Sequence, residues 1–321
     1  MTSKLLQRLL AGALLPIAIG LGGASSADLR VVAPSTPGSS WDQIAQALRA
    51  AVADGQRGPA VEVINAPGAG GTVGLARFVA DAADADLLVT GAIMLDASLL
   101  HRAPVGLDRM TPIARLVVEP FAVVVPAESA LKSLGDLKAE LGADAARVGW
   151  AGGPVGGIDH VAALLLARAM GVEAPRLNYA PFLTSAEAAA AVAEGRVGVA
   201  VLSLSEVAVE IDTGRIRTLG ISGEVRLNGI AAPTLSEAGI NLDIVNWRGL
   251  VARPGLPAEQ RARLATLAGS VFASAEWQAM IARKRWQNAF MGPEAFGAFL
   301  AIEHGRAKSA LKAAGLLKRE D

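Results

Sequence analysis

The chain has 321 residues, with 30 Lys and Arg against 30 Asp and Glu, so its formal net charge is zero. Hydrophobic residues make up 52% and charged residues 19%, too apolar a balance for a disordered chain; one Tyr, seven Phe and no basic excess argue against nucleic acid as a partner. The absence of Cys excludes a disulfide framework, a thiolate nucleophile and zinc-thiolate sites, and three scattered His (His101, His160, His304) do not make a metal cage, so neither metal nor cofactor is expected.

Residues 1–27 read as an address. Lys4 and Arg8 precede an apolar run from Leu9 to Leu21, and small residues converge on Ser25-Ser26-Ala27, the pattern of a signal peptide cut before Asp28. The run, interrupted by Pro16 and Gly20, is shorter than the roughly 20 residues that span a bilayer. Export to a periplasm is the expectation, and loss of Lys4 and Arg8 leaves the mature chain slightly acidic.

The remainder is longer than one core comfortably supports, so two lobes are expected. Strand-like and helix-like segments alternate first: strand 29–33, helix 41–52, strand 61–64, helix 72–79, strand 87–90. That rhythm predicts an α/β lobe with a mostly parallel sheet flanked by helices. Phe121–Val125, closed by Pro126, predicts a strand passing to a second lobe of the same kind. There the spacing predicts strand 148–151, helix 159–170 stopped by Gly171, a helix through 186–193, and strands 197–202 and 217–222. Trp247–Val251 predicts a strand returning to the first lobe. The boundaries read as 28–124 with 248–321 for one lobe and 125–247 for the other. After Pro254 the pattern reads as all-helical, with core-facing stripes at Leu264, Leu267 and Val271, then at Phe296, Phe299, Leu300, Ala307 and Leu311.

Three turns share one grammar of apolar strand, small-residue loop and helix: 34–42, 65–74 and 152–160. Glycines let backbone N–H groups approach a ligand, and each loop feeds a helix N-terminus that favours an anion. In open parallel sheets such loops lie where ligands bind. The residues singled out as a ligand cleft are Ser39, Ser40, Asp42, Ala69, Gly70, Gly71, Thr72, Gly156, Gly157, His160 and Phe182. The simpler alternative is tight connections, with Ser40 or Asp42 as a helix cap. Gly68-Ala69-Gly70-Gly71-Thr72-Val73 puts Val73 where a dinucleotide fingerprint needs Gly, and no Walker or G-x-S-x-G motif occurs. Asp159-His160 leaves a Ser–His–Asp hydrolase open, although a His bonding to the loop or a ligand fits a first helical turn better. Arg248 is placed either to face a carboxylate or to pair within a hinge.

The segments Trp41-Asp42-Gln43, Asn65 to Thr72, Thr111 to Leu116, Trp150 to Gly153, Gly156-Gly157 with Asp159-His160, and Asn246 to Gly249 together resemble the periplasmic receptors of tripartite tricarboxylate transporters, the Bug-type solute-binding proteins. The resemblance spans essentially the whole mature chain. It implies a non-enzymatic, two-lobed clamshell of the type II-like binding-protein class, monomeric, that closes on a small organic acid and hands it to membrane permease subunits. It also implies a carboxylate held mostly by backbone amides and water. Ser39-Ser40, Pro154, Ile158 and the turn after Phe182 depart from the family's pattern, and Pro154 removes a backbone donor. These departures leave open a smaller or more apolar carboxylate, and a receptor that no longer serves transport. An exported hydrolase using His160 and a sensory receptor signalling to a membrane partner are the alternatives.

Overall fold

The computed structural model describes residues 29–54, 60–80, 86–173 and 176–317. The expected signal peptide lies outside them, and no helix among the described residues is long and apolar enough to cross a membrane. In chain order the first elements are β1 (Leu29–Ala33), α1 (Ser40–Asp54), β2 (Val61–Asn65), α2 (Thr72–Ala80), β3 (Leu87–Gly91) and α3 (Ala92–Leu100). The long β4 (Thr111–Pro126) leads to α4 (Leu134–Asp144), β5 (Trp150–Gly152), α5 (Ile158–Ala169), β6 (Tyr179–Pro181), α6 (Ser185–Ala193), β7 (Val199–Ser203), α7 (Leu204–Asp212) and β8 (Ile216–Ile221). The return comprises β9 (Val245–Ala252), α8 (Ala258–Phe272), α9 (Ala275–Lys284), β10 (Gln287–Met291) and α10 (Pro293–Ala313).

Two sheets share β4. Its first half pairs antiparallel with β9 and β10, and β9 continues through β3 and β1 to β2. Its second half pairs antiparallel with β7 and β8, and β7 continues through β5 to β6. The outer strands of each sheet are parallel, as the βα rhythm predicts. The antiparallel pairs all involve β4, which pairs in both sheets, or β9 beside it. The expected strand at 121–125 is therefore only the end of a 16-residue one. The region after Pro254 is not all-helical, because Gln287–Met291 adds a short strand beside β4.

Helix faces follow the apolar periodicity. On α1, Trp41, Ile44, Ala45, Leu48 and Val52 are buried, one stripe at helical spacing. Ser133 and Asp136 form a reciprocal capping box that starts α4 (Asp136 N to Ser133 Oγ 3.1 Å, Ser133 N to Asp136 Oδ2 3.0 Å). Pro293 opens α10, whose Phe296 and Phe299 meet Trp247 edge-on, with ring centroids 5.7 and 5.6 Å away. The core of the first sheet includes Trp247, Trp277 and Phe296; that of the second includes Phe121, Trp150 and Val201. Ile158, the first residue of α5, packs against both.

Candidate functional site

α1, α3, α5 and α7 follow β1, β3, β5 and β7, the parallel strands nearest the crossing of the two sheets. Their N-termini carry the donors that suit an anion. At α3 and α5 the cap residues are Gly91 and Gly157, with no side-chain hydrogen bond to the first turn. Neither first turn is therefore closed by a side chain of its cap residue.

The loop after β1 is built around Asp42. Its carboxylate accepts from Gly38 N (2.8 Å), Asn65 Nδ2 (2.9 Å) and Gln46 Nε2 (3.3 Å). Burial alone would raise its pKa, but these donors outweigh burial and hold it below the usual carboxylate value. Asp42 is thus a buried brace for the loop. The cap of α1 is Ser39, whose carbonyl accepts from Gln43 N (2.9 Å) and whose hydroxyl is bonded to that of Ser35. Ser40 is the first helical residue, and its hydroxyl makes no hydrogen bond among the described residues. Asn65 also donates to Ser35 O (3.1 Å), so one amide ties the first loop to the end of β2.

The second turn places Ala69, Gly70 and Gly71 at φ 46°, 62° and 92°. A Cβ on Gly70 would stand 2.6 Å from Ala97 Cβ, and one on Gly71 2.7 Å from the Trp41 ring. These glycines serve close packing on α3 and α1 as well as access to backbone amides. Thr72 donates its hydroxyl to Ala69 O (2.9 Å), closing the turn on itself.

The third loop, after β5, is held by Asp159 and His160. Asp159 Oδ2 accepts from Gly153 N (3.0 Å) and Ser185 Oγ (2.7 Å), while its Oδ1 is buried without a partner. Burial pushes its pKa up to about 6, the Ser185 and Gly153 bonds oppose that rise, and Glu206 and Glu119 add to it. His160 Nδ1 accepts from Gly156 N (3.0 Å), which places the single N–H of the neutral ring on Nε2; burial lowers its pKa. Its ring lies 4.3 Å from that of Tyr179. No Ser hydroxyl bonds to His160 among the described residues, so the nucleophile–base pair of a hydrolase is not assembled there. Gly156, at φ 81°, allows the loop to touch Leu100 of α3, where a Cβ would come within 2.6 Å. Gly157 N donates to Pro154 O (2.9 Å), a turn that needs no N–H from residue 154.

Phe182 is half-buried against an apolar cluster of the second lobe, with Arg196 5.8 Å from its ring centre; its N–H donates to Gly152 O (2.9 Å). Ile158 faces the junction of the two cores.

Of the residues at the crossing, Arg248 is weighed in the sequence, whereas Glu119, Ser203, Ser205 and Gly91 are not singled out there. Arg248 donates to Glu119 Oε2 (2.9 Å), both side chains are buried, and its guanidinium stacks 4.5 Å from Trp286. Of the two roles open to Arg248, the structure shows pairing within the hinge. Glu119 Oε1 accepts from both the amide (3.0 Å) and the hydroxyl of Ser205, and Asn246 donates to Ser203 Oγ (3.1 Å). The start of α7 is thereby fastened to β4 and β9. Gly91 lets Trp41 and Arg248 approach the end of β3: a Cβ there would lie 3.2 Å from Trp41 Nε1 and 2.7 Å from the Trp247 carbonyl oxygen. A glycine between an apolar strand and an apolar helix is the one sequence signal for that approach.

The tripartite tricarboxylate transporter family receptor pattern matches residues 43–316. A UPF0065 protein from the tcbD–tcbE intergenic region of Pseudomonas sp. strain P51 is 28% identical over 240 residues, 73% of this chain and 70% of that protein. The fold is similar to that of a TctC solute-binding protein from Polaromonas (TM-score 0.77, 25% identity, covering 88% of this chain and 97% of that one). It is also similar to MatC from Rhodopseudomonas palustris with bound malate (TM-score 0.67, 22% identity, 88% and 98% covered). Four helix starts surround two crossed sheets, and the chain belongs to the tripartite tricarboxylate transporter receptor family, whose members are two-lobed solute-binding proteins rather than enzymes.

Proposed function

We propose that the mature protein is a periplasmic receptor, exported by the signal peptide at residues 1–27, that closes its lobes over a small organic acid and delivers it to permease subunits of a tripartite transporter. The observation that carries the carboxylate reading is the pair of helix N-termini at Gly91 and Gly157, one in each sheet and neither capped by a side chain. Arg248 is held by Glu119 through one of its nitrogens, and in this reading the anion is received mainly by amide dipoles and water. The malate in MatC supports a ligand of this class. Ser39, Ser40, residues 69–72 with the amides of Ala69 and Gly70, and the amides of 158–160 beside Gly156 and Gly157 line the cleft in this reading, and Asp42 and His160 hold the loops that present them.

The pairing change along β4 favours a lobe boundary near Glu119–Phe121, a few residues before the one read at 124, with the return crossing near Val245–Trp247. The receptor acts as a monomer in this reading, because each lobe supplies one side of the cleft.

A thermal-shift screen of mono-, di- and tricarboxylic acids beside their amides tests it. A ligand at a hundred times its Kd stabilises by about 2.7 kcal/mol, enough to register. Stabilisation by at least one acid and not by its amide is expected; no stabilisation by any acid refutes the reading.

A further inference from the structure

Where α3 and α10 of the first lobe meet α5 of the second lies a cavity of about 30 Å³, bordered by Ala92 and Ile158 at the helix starts and large enough for one or two water molecules. Its floor is the crossing itself, with Phe121, Ile244 and Trp247. The first lobe gives it polar groups: Asp96 from α3, and Glu303 and Arg306 from α10. The second lobe gives it Val161, Ala162 and Leu165 from α5, with no donor among them.

Asp96 is 4% exposed and makes no hydrogen bond among the described residues. Trp247 Nε1 is buried at the same cavity, facing Glu303. Arg306 does not neutralise the pair cleanly. Its Nη1 lies 2.9 Å from Glu303 Oε1, but the hydrogen bond from that nitrogen goes to the Asp243 carbonyl oxygen. Burial, and then Glu303, push the Asp96 carboxyl well above the usual range. Burial also raises Glu303; Arg306, Arg115 and the Trp247 indole oppose that rise, while Asp243 adds to it.

We propose that closure of the two lobes is coupled to the uptake of one proton by Asp96, which with Glu303 forms a proton-binding pair behind the hinge. When α5 leans onto α3 and α10, its apolar face displaces the water that would solvate the Asp96 carboxylate, and offers no donor in exchange. The closed lobes accept the neutral acid, formed when a carboxylate oxygen takes a proton from solvent. When α5 moves away, water returns and the proton leaves. The closed state holds more protons than the open one, so closure is favoured as pH falls and weakened as it rises.

The absence of native Cys gives a direct test. Val73 on α2 and Leu183 beside α6 are exposed apolar residues, one in each lobe, and V73C/L183C carries a pair of spin labels. Double electron–electron resonance from pH 5 to 8.5, without ligand, reads the lobe separation. We expect the short-distance population to fall with rising pH, up to tenfold per unit. Asp96→Asn, which mimics the neutral acid, should keep it high throughout, and Glu303→Gln should keep the pH response but move its midpoint down. An invariant distance in the parent, or an unchanged response in Asp96→Asn, overturns the proposal. So does loss of the response in Glu303→Gln alone. No ligand is needed, so the outcome is separate from that of the carboxylate reading.

Discussion

The buried pair of Arg248 and Glu119 sets a measurable quantity on the hinge. The two side chains are 5% and 1% exposed, joined at 2.9 Å, and they link β9 to β4 where the sheets cross. Replacing Arg248 by Met preserves most of the stem volume but leaves the Glu119 carboxylate with only Ser205 as a donor partner. Breaking a buried pair by removing one member costs about 3–5 kcal/mol, and loss of the stack on Trp286 adds about 1 kcal/mol. For a chain of this size that corresponds to a fall in Tm of roughly 6–12 °C. Glu119→Gln in the same chain keeps an acceptor for Ser205 and removes the orphaned charge, so the double variant should recover to within about 1 kcal/mol of the parent. Urea unfolding followed by tryptophan fluorescence measures all four proteins, and the cycle should give a coupling of at least about 3 kcal/mol. A loss below about 1 kcal/mol for Arg248→Met, or no rescue by Glu119→Gln, refutes the assignment of Arg248 to the hinge.

Three further expectations follow from the loops. Asp159 titrates near pH 6 in the folded chain and near its ordinary value of 3.8 when unfolded, so its protonated form favours the fold. Stability contributed by that proton is complete below about pH 4 and lost as pH rises through 6; Asp159→Asn should flatten this slope in Tm measured from pH 4 to 7.5, and an unchanged slope counts against it. Gly71→Ala forces a methyl to within 2.7 Å of the Trp41 ring at φ 92°, and should cost about 2–4 kcal/mol by thermal unfolding with a shifted tryptophan emission. His160→Ala removes the acceptor for Gly156 N and should destabilise by about 1–3 kcal/mol, whereas no esterase activity should be present in the parent to lose.

What the sequence makes legible follows physical range. The first three strands and the helices α1 and α2 are visible because strand alternation, glycine turns and one amphipathic stripe are local signals. Helix α3 is not: Ala92-Ile93-Met94-Leu95 is apolar all round, since α3 is covered by neighbours on several sides and has no polar face to set a period. Strand β4 is visible only in its last third, because Pro112, Arg115, Glu119 and Pro120 interrupt the apolar run. Glu119 is tolerated there through Arg248, a partner 129 residues away that no window can connect. Strand β10 escapes because it is short, partly exposed and flanked by helices. In the candidate site, the glycine loops are legible as loops, but their use in packing on Trp41 and Ala97 is tertiary. The same holds for Phe182, an aromatic beside a turn whose packing against the second lobe's apolar cluster is tertiary.

The central claim is that a carboxylic acid is held between the lobes and released unchanged. The most direct measurement is native mass spectrometry of the folded protein incubated with the acid that stabilises it most, followed by denaturation and identification of what is released. One molecule of the intact acid per chain is the predicted result. A bound neutral compound, a hydrolysed product, or no bound small molecule contradicts it.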